Sequence, residues 1–303
     1  MVQGRFLALF FGDSIAWGQG LREEDKFSTA LIQWINEFHP DLRAFKLVKA
    51  RSGAVIGTRD LVEDPGWHPE IPSPCPAIQH QIDSYHDCDP GDADLVVLSG
   101  GINDVGTRSI FNPRVSPADL QSHIRYAFGT LMPGLLELTA QRFSNPKTKI
   151  LVLGYYPIVS GESRPAGILP MMSAYGVSTM GPASWNPWRT VVNKALLFES
   201  ESDRLIQQAI ANSASPDRFV WVKSGIQAEN AAFAPKPWVF GIRLPHLTPE
   251  DDLGDERRTL CQVQPDRDKR VFGYRASIGH PNRWGARAYF NAIYPVLQRE
   301  YGF

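Results

Sequence analysis

A chain of 303 residues, 43% apolar and 21% charged, has room for one large hydrophobic core or two modest ones, and this composition excludes a disordered polypeptide. A formal net charge of -1 without any run of like charges argues against an electrostatic nucleic-acid or membrane-surface role. No apolar run reaches the ~18 residues that a transmembrane helix needs.

The three cysteines, Cys75, Cys88 and Cys261, form no CxxC pair and no zinc-like spacing. Cys75 and Cys88 bracket one loop and could pair in an oxidising compartment, or all three could be free thiols.

Residues 5–11 predict a buried first strand running into Gly12, Asp13 and Ser14. This segment is too short for a signal core and lacks a small-residue cleavage site. The compartment is left open: cytoplasmic if Met1 is the native start, secreted if a leader has been removed. Apolar residues at Phe27, Leu31, Ile32, Trp34, Ile35 and Phe38 predict a helix over residues 26–38, so Ser14 falls in a strand-to-helix connection. Residues 44–50 predict a second strand that ends in a turn at Gly53. Residues 58–90, rich in proline and aspartate, read as a surface excursion with one helix at 77–85.

The continuous apolar run at residues 94–99 predicts a central parallel strand opening into Gly100, Gly101, Ile102, Asn103 and Asp104. Pro117 sits just inside the helix that follows, which reaches toward Phe143. A fourth strand is expected at 149–154, a helix at 191–211 and a fifth strand at 218–222. Two long stretches, 155–187 and 224–279, read as irregular. A closing helix begins at His280-Pro281-Asn282 and extends to about Arg299.

Alternating strands and helices predict an α/β fold with a parallel sheet of about five strands and helices on both faces. Each glycine-bearing loop follows a strand, so Ser14, Gly53 and Asn103 should meet at the carboxyl edge of the sheet. Acyl transfer through serine needs a base within reach of the hydroxyl and donors for the oxyanion. Ser14 can attack and His280 can take its proton. The backbone N–H groups of Ser14 and Gly53, with the Asn103 amide, can cradle the oxyanion. Gly53 suits close approach of backbone to ligand because it lacks Cβ. The blander readings are a turn serine, a turn asparagine and a capping histidine. The Gly-x-Ser-x-Gly elbow of α/β-hydrolases is absent, since Gly12 to Ala16 ends in alanine.

Four ordered blocks, Gly12-Asp13-Ser14, Gly53, Gly101-Ile102-Asn103-Asp104 and His280-Pro281, resemble the SGNH/GDSL hydrolase superfamily of serine esterases and lipases. The resemblance implies a flavodoxin-like three-layer αβα sandwich over residues 1–303, with long loop insertions at about 58–90, 155–187 and 224–279. It implies no metal and no organic cofactor. It implies hydrolysis of carboxylic esters or thioesters, with Ser14 as nucleophile, His280 as base, and Gly53 and Asn103 as oxyanion donors. The expected partner is a small-molecule, lipid or glycan ester.

One position departs from the family: the aspartate usual three residues before the histidine is Ser277 here. That acid holds the imidazole tautomer and stabilises the imidazolium. A dyad oriented by a backbone carbonyl or by the Ser277 hydroxyl is the first expectation, and an acid supplied by Asp251, Asp252 or Asp255 the second. For the substrate, an esterase or lipase leads, with residues 155–187 as acyl wall, lid or satellite core. A carbohydrate O-acetylesterase using Trp17, Trp67, Trp185, Trp188 or Trp238 as sugar platforms is the rival. A non-catalytic binding protein on the same scaffold comes third.

Overall fold

The structure is a computed structural model that describes residues 4–57, 66–86, 89–180, 186–243, 248–262 and 267–303, the last with residues 267–269 as backbone alone. In chain order it contains β1 (Gly4–Phe11), α1 (Ser14–Trp17), α2 (Phe27–Phe38), β2 (Leu42–Val48), α3 (Ile78–Asp83), β3 (Leu95–Leu98), α4 (Ile102–Val105), α5 (Thr107–Phe111) and α6 (Pro117–Ile124). There follow α7 (Met132–Arg142), β4 (Lys149–Leu153), α8 (Pro165–Ala174), α9 (Pro187–Ala211), β5 (Phe219–Val222), β6 (Ile242–Arg243), β7 (Thr248–Pro249), α10 (Gly254–Gln262), α11 (Arg267–Tyr274) and α12 (Arg283–Tyr301).

The main sheet has five strands in the order β2-β1-β3-β4-β5, all parallel. Its central strands are apolar on both faces because helices cover both, and every residue of β3 is buried. Alternation along β1 shows the two layers directly. Phe6 and Phe10 turn to one face, with ring centroids 5.3 Å from Tyr301 of α12 and 6.0 Å from Phe27 of α2. Phe11 turns to the other and meets Tyr85 and Phe143, each at 5.6 Å. The expected α/β fold is thus observed.

Differences from the expected elements have local causes. The helix expected from Pro117 toward Phe143 is continuous but passes through a π-helical stretch, Arg125–Leu131, between α6 and α7. Ser14 opens its own short helix instead of lying in a long connection, because the Asp13 carboxylate accepts from the Ile15 N–H and caps α1, and Gly18 ends it at φ 79°. Residues 155–187, expected to be irregular, contain α8. Residues 224–279 contain α10, α11 and the β6–β7 ladder. Their apolar residues are too interspersed with proline, glycine and charge to show a clear period. Much of 155–187 is core, with Tyr155, Tyr156, Ile158, Ile168, Met171 and Met172 buried.

Cys75 and Cys261 carry free thiols, while Cys88, like Trp185, lies outside the described residues. No helix among the described residues is long and apolar enough to cross a membrane.

Leu98 ends the central strand and is fully buried. Leu98→Ala is expected to cost about 2–5 kcal/mol through lost transfer energy and the cavity left behind. Denaturant unfolding checks this; a change under ~1 kcal/mol would mean that the strand end is less tightly packed than described.

Candidate active site

In the strand order β2-β1-β3-β4, the chain leaves β1 toward one side for β2 and leaves β3 toward the other for β4, which opens a crevice at the carboxyl ends of β1 and β3. Ser14 follows β1, Gly53 follows β2 and Asn103 follows β3. All three line one cavity, together with His280 from the loop before α12.

The β1 and β3 loops approach so closely that side chains are excluded. Gly12 has φ 138°, and a Cβ there would lie 2.2 Å from the Ser99 carbonyl oxygen. Asp13 is buried and ties three segments together. Its Oδ1 accepts from the Ser99 hydroxyl at 2.6 Å and from the Ile15 N–H at 3.0 Å, and its Oδ2 accepts from the Tyr155 hydroxyl at 2.9 Å. Tyr155 in turn accepts from the Ile102 N–H at 3.0 Å, one residue before Asn103. Burial raises the Asp13 pKa, while the bonds from Ser99, Ile15 and Tyr155 oppose that rise.

The β2 and β3 loops are joined in the same manner. The Asp104 carboxylate accepts from the Ile56 N–H at 2.9 Å and the Gly57 N–H at 3.3 Å, and Asn103 Nδ2 donates to the Ala54 carbonyl at 2.9 Å. An amide carries two donors, so one N–H of Asn103 is left over. Gly53 has φ 79°, and a Cβ there would lie 2.6 Å from the Ser73 nitrogen. Among the described residues, the backbone N–H groups of Ser14 and Gly53 have no protein acceptor.

Ser14 is 3% exposed, and its Oγ lies 2.7 Å from His280 Nε2. The segment that carries His280 is held by its backbone. The Tyr156 hydroxyl donates to the Gly279 carbonyl and the Tyr175 hydroxyl to the Ile278 carbonyl, each at 2.9 Å. The Phe240 N–H donates to the His280 carbonyl at 2.7 Å, and Asn282 caps α12. Tyr175 is itself stacked on Phe111, with centroids 4.8 Å apart.

The Ser277 hydroxyl accepts from Arg257 Nη2 at 3.1 Å and makes no bond to the His280 ring. Arg257 is fully buried and paired with Asp251 at 2.6 Å and Glu70 at 2.8 Å. Glu70 also accepts from Trp17 Nε1 at 2.6 Å, Gln19 Nε2 at 2.8 Å and the Gly20 N–H at 2.8 Å. The acids considered at 251, 252 and 255 therefore have other surroundings. Asp251 faces Arg257, Asp252 is exposed, and exposed Asp255 lies 3.5 Å from Arg258. His280 Nδ1 is buried and has no hydrogen-bond partner.

A hydroxyl bonded to an imidazole can lose its proton to the ring as it attacks, and the three nearby donors suit an anionic oxygen. Sequence reasoning missed Arg257 and Glu70, because two charges 187 positions apart carry no periodic signal. Trp17, Trp188 and Trp238 do not line the cavity at Ser14. No group of three or more His, Cys, Asp or Glu that could hold a metal occurs among the described residues.

No family model and no curated protein matches the sequence. Among solved structures the chain is similar to phospholipase A1 from Streptomyces albidoflavus NA297, with 15% identity, a TM-score of 0.52, and coverage of 98% of this chain and 99% of that one. It is similar to an extracellular lipase from Streptomyces rimosus, with 15% identity, a TM-score of 0.51 and the same coverages. The fold is therefore the α/β fold found in SGNH/GDSL-type hydrolases.

Burial pushes the His280 pKa down to about 4. The Arg257 charge contributes to that shift, while the backbone carbonyls of Ser277, Ile278 and Ala276 oppose it. The unfolded chain takes up this proton near pH 6.5, whereas the folded ring resists it until about pH 4. Stability should thus be full above pH 6.5 and decline as pH falls across that interval. The His280 ring resonances should titrate near pH 4 by NMR, and a midpoint near 6.5 would show the ring to be solvated.

Proposed function

We propose that the chain is a serine ester hydrolase in which Ser14 forms the acyl-enzyme and His280 is the general base. The Ser14 and Gly53 N–H groups and the Asn103 amide form the oxyanion hole. The observation that carries this reading is the 2.7 Å contact between Ser14 Oγ and His280 Nε2 in a cavity that also holds Gly53 and Asn103. A neutral imidazole above about pH 4 is ready to accept the serine proton.

With the Ser277 hydroxyl engaged by Arg257, the acceptor available to Nδ1 on substrate binding is the Ser277 backbone carbonyl, although the resting ring makes no hydrogen bond through Nδ1. Of the neighbouring carbonyls it does most to favour the charged ring. A carbonyl selects the same tautomer as a carboxylate but supplies less charge. His280 is therefore a weaker base than its counterpart in a full triad, and its position rests on the surrounding backbone bonds. In an apo site such bonds are commonly loose and tighten when the substrate binds.

The acyl half of the ester is short. The cavity beside Ser14 measures about 50 Å³, and a single water needs roughly 10–15 Å³, so the space suits two to four carbons. Its walls are Ile15, Ile102, Tyr156, Ile158, Tyr175 and Ile278. This size favours the O-acetylesterase alternative over a lipase for long chains, although no tryptophan among the described residues lines the cavity.

Two measurements test the reading. Intact mass after exposure to a fluorophosphonate should show one adduct on the native chain and none on Ser14→Ala, with His280→Ala labelled far more slowly. A native chain that takes no adduct would turn the reading toward a binding protein. On a nitrophenyl ester series, kcat/KM should peak at acetate to butyrate and fall by at least about tenfold at octanoate, the cost of ~1.4 kcal/mol of misfit. A maximum at long chains would restore the lipase reading.

A further inference from the structure

The cavity wall carries one side chain that the fold does not use. Arg275 lines the cavity with Ser14, Asn103 and His280. Its backbone is engaged, with its N–H on the Phe272 carbonyl at 3.0 Å and its carbonyl accepting from the Ile278 N–H at 3.1 Å. Its guanidinium makes no hydrogen bond or ion pair among the described residues, and its Nε is buried without an acceptor.

Other arginines of the chain are treated differently. Arg257 has two carboxylates, a hydroxyl and two carbonyls around it. Arg218 donates to the carbonyls of Thr148, Ala140 and Phe143. A guanidinium stays protonated in a protein, and partial burial of one without a counter-charge costs free energy. No Asp, Glu or Lys lines the cavity, and His280 is neutral near pH 7. Arg275 is therefore the one formal charge on this wall among the described residues.

We infer that Arg275 is a substrate-binding residue, and that the esters taken by this site carry an anionic group, carboxylate or phosphate, on the alcohol side of the ester. The fork of five donors matches either oxyanion in a bidentate pair. The alcohol side is assigned because about 50 Å³ accommodates a short acyl group but not a chain that ends in a charge, while Arg275, like exposed Phe272, is a lining residue that solvent reaches, where the alcohol half can extend. Binding supplies the missing counter-ion, so the free energy held in the unpaired cation becomes selectivity for charged esters.

This inference rests on the hydrolase reading, and its test keeps the two apart. Three acetyl esters are compared: 4-acetoxybenzoate, 4-acetoxyphenyl phosphate and the neutral 4-acetoxybenzamide. Intrinsic reactivities cancel when native and variant are compared on the same ester. In Arg275→Gln the anionic-to-neutral ratio of kcat/KM should fall by about 10- to 100-fold, the range of a charge-assisted hydrogen bond, and mainly through KM. Arg275→Lys should keep part of the ratio, since it retains charge and loses the fork. Raising the salt concentration should weaken the native preference. A larger fall on the carboxylate or on the phosphate identifies which group is bound.

A ratio unchanged in both variants and insensitive to salt overturns the inference. A fluorophosphonate adduct on Ser14 without preferential turnover of either anionic ester overturns this inference alone. A native chain that takes no adduct and hydrolyses none of the three overturns the hydrolase reading as well.

Discussion

The arrangement of the site depends on one buried cation. Arg257, from α10, reaches Glu70 in the excursion after β2, Asp251 before α10 and the Ser277 hydroxyl beside the histidine loop. Through Glu70 it also holds the segment after α1, from Trp17 to Gly20. These loops share no sheet, and the cluster joins them through side chains. Such a cluster is weak evidence for net stability, because desolvation offsets much of its attraction. Its consequence is geometric, since loss of any member strands a charge in the interior. The position of the His280 loop relative to the Ser14 loop is therefore tightly specified.

The same cation places a positive charge near the His280 ring. Where an aspartate would raise the imidazole pKa and pull on its N–H, this chain has a serine hydroxyl bonded to a guanidinium. The positive charge works with burial to keep the ring neutral. Orientation then has to come from the backbone, and the Tyr156, Tyr175 and Phe240 bonds to consecutive carbonyls supply it. Asp13 does the equivalent work across the site, where Tyr155 carries its influence from the Ser14 loop to the residue before Asn103. Two buried hubs of opposite sign thus hold the two halves of the cavity.

Four of the five strands were legible from uninterrupted apolar runs such as residues 94–99, because a strand covered on both faces has no polar positions to obscure it. Strand β2, at the sheet edge, was read two residues late because its exposed side chains break the run. The convergence of Ser14, Gly53 and Asn103 followed from the order of strands and glycine loops, since parallel strands place all such loops at one edge. Helices α8, α10 and α11 were missed because they are short and held by tertiary contacts rather than by a clean amphipathic period.

What the sequence determined by itself was therefore whatever depends on local pattern and chain order: an α/β sheet, the glycines at tight turns, and the candidate residues brought to one edge. What only the tertiary structure decided depends on contacts between distant, non-periodic segments. These include the partner of the Ser277 hydroxyl, the engagement of Asp251 by Arg257, the small volume beside Ser14 and the absence of a partner for Arg275 among the described residues. The physical reason is that burial and pairing of charge are properties of a location in space. A sequence names the charges, but the fold alone brings Glu70 and Arg257 to 2.8 Å and leaves Arg275 without a counter-charge among the described residues.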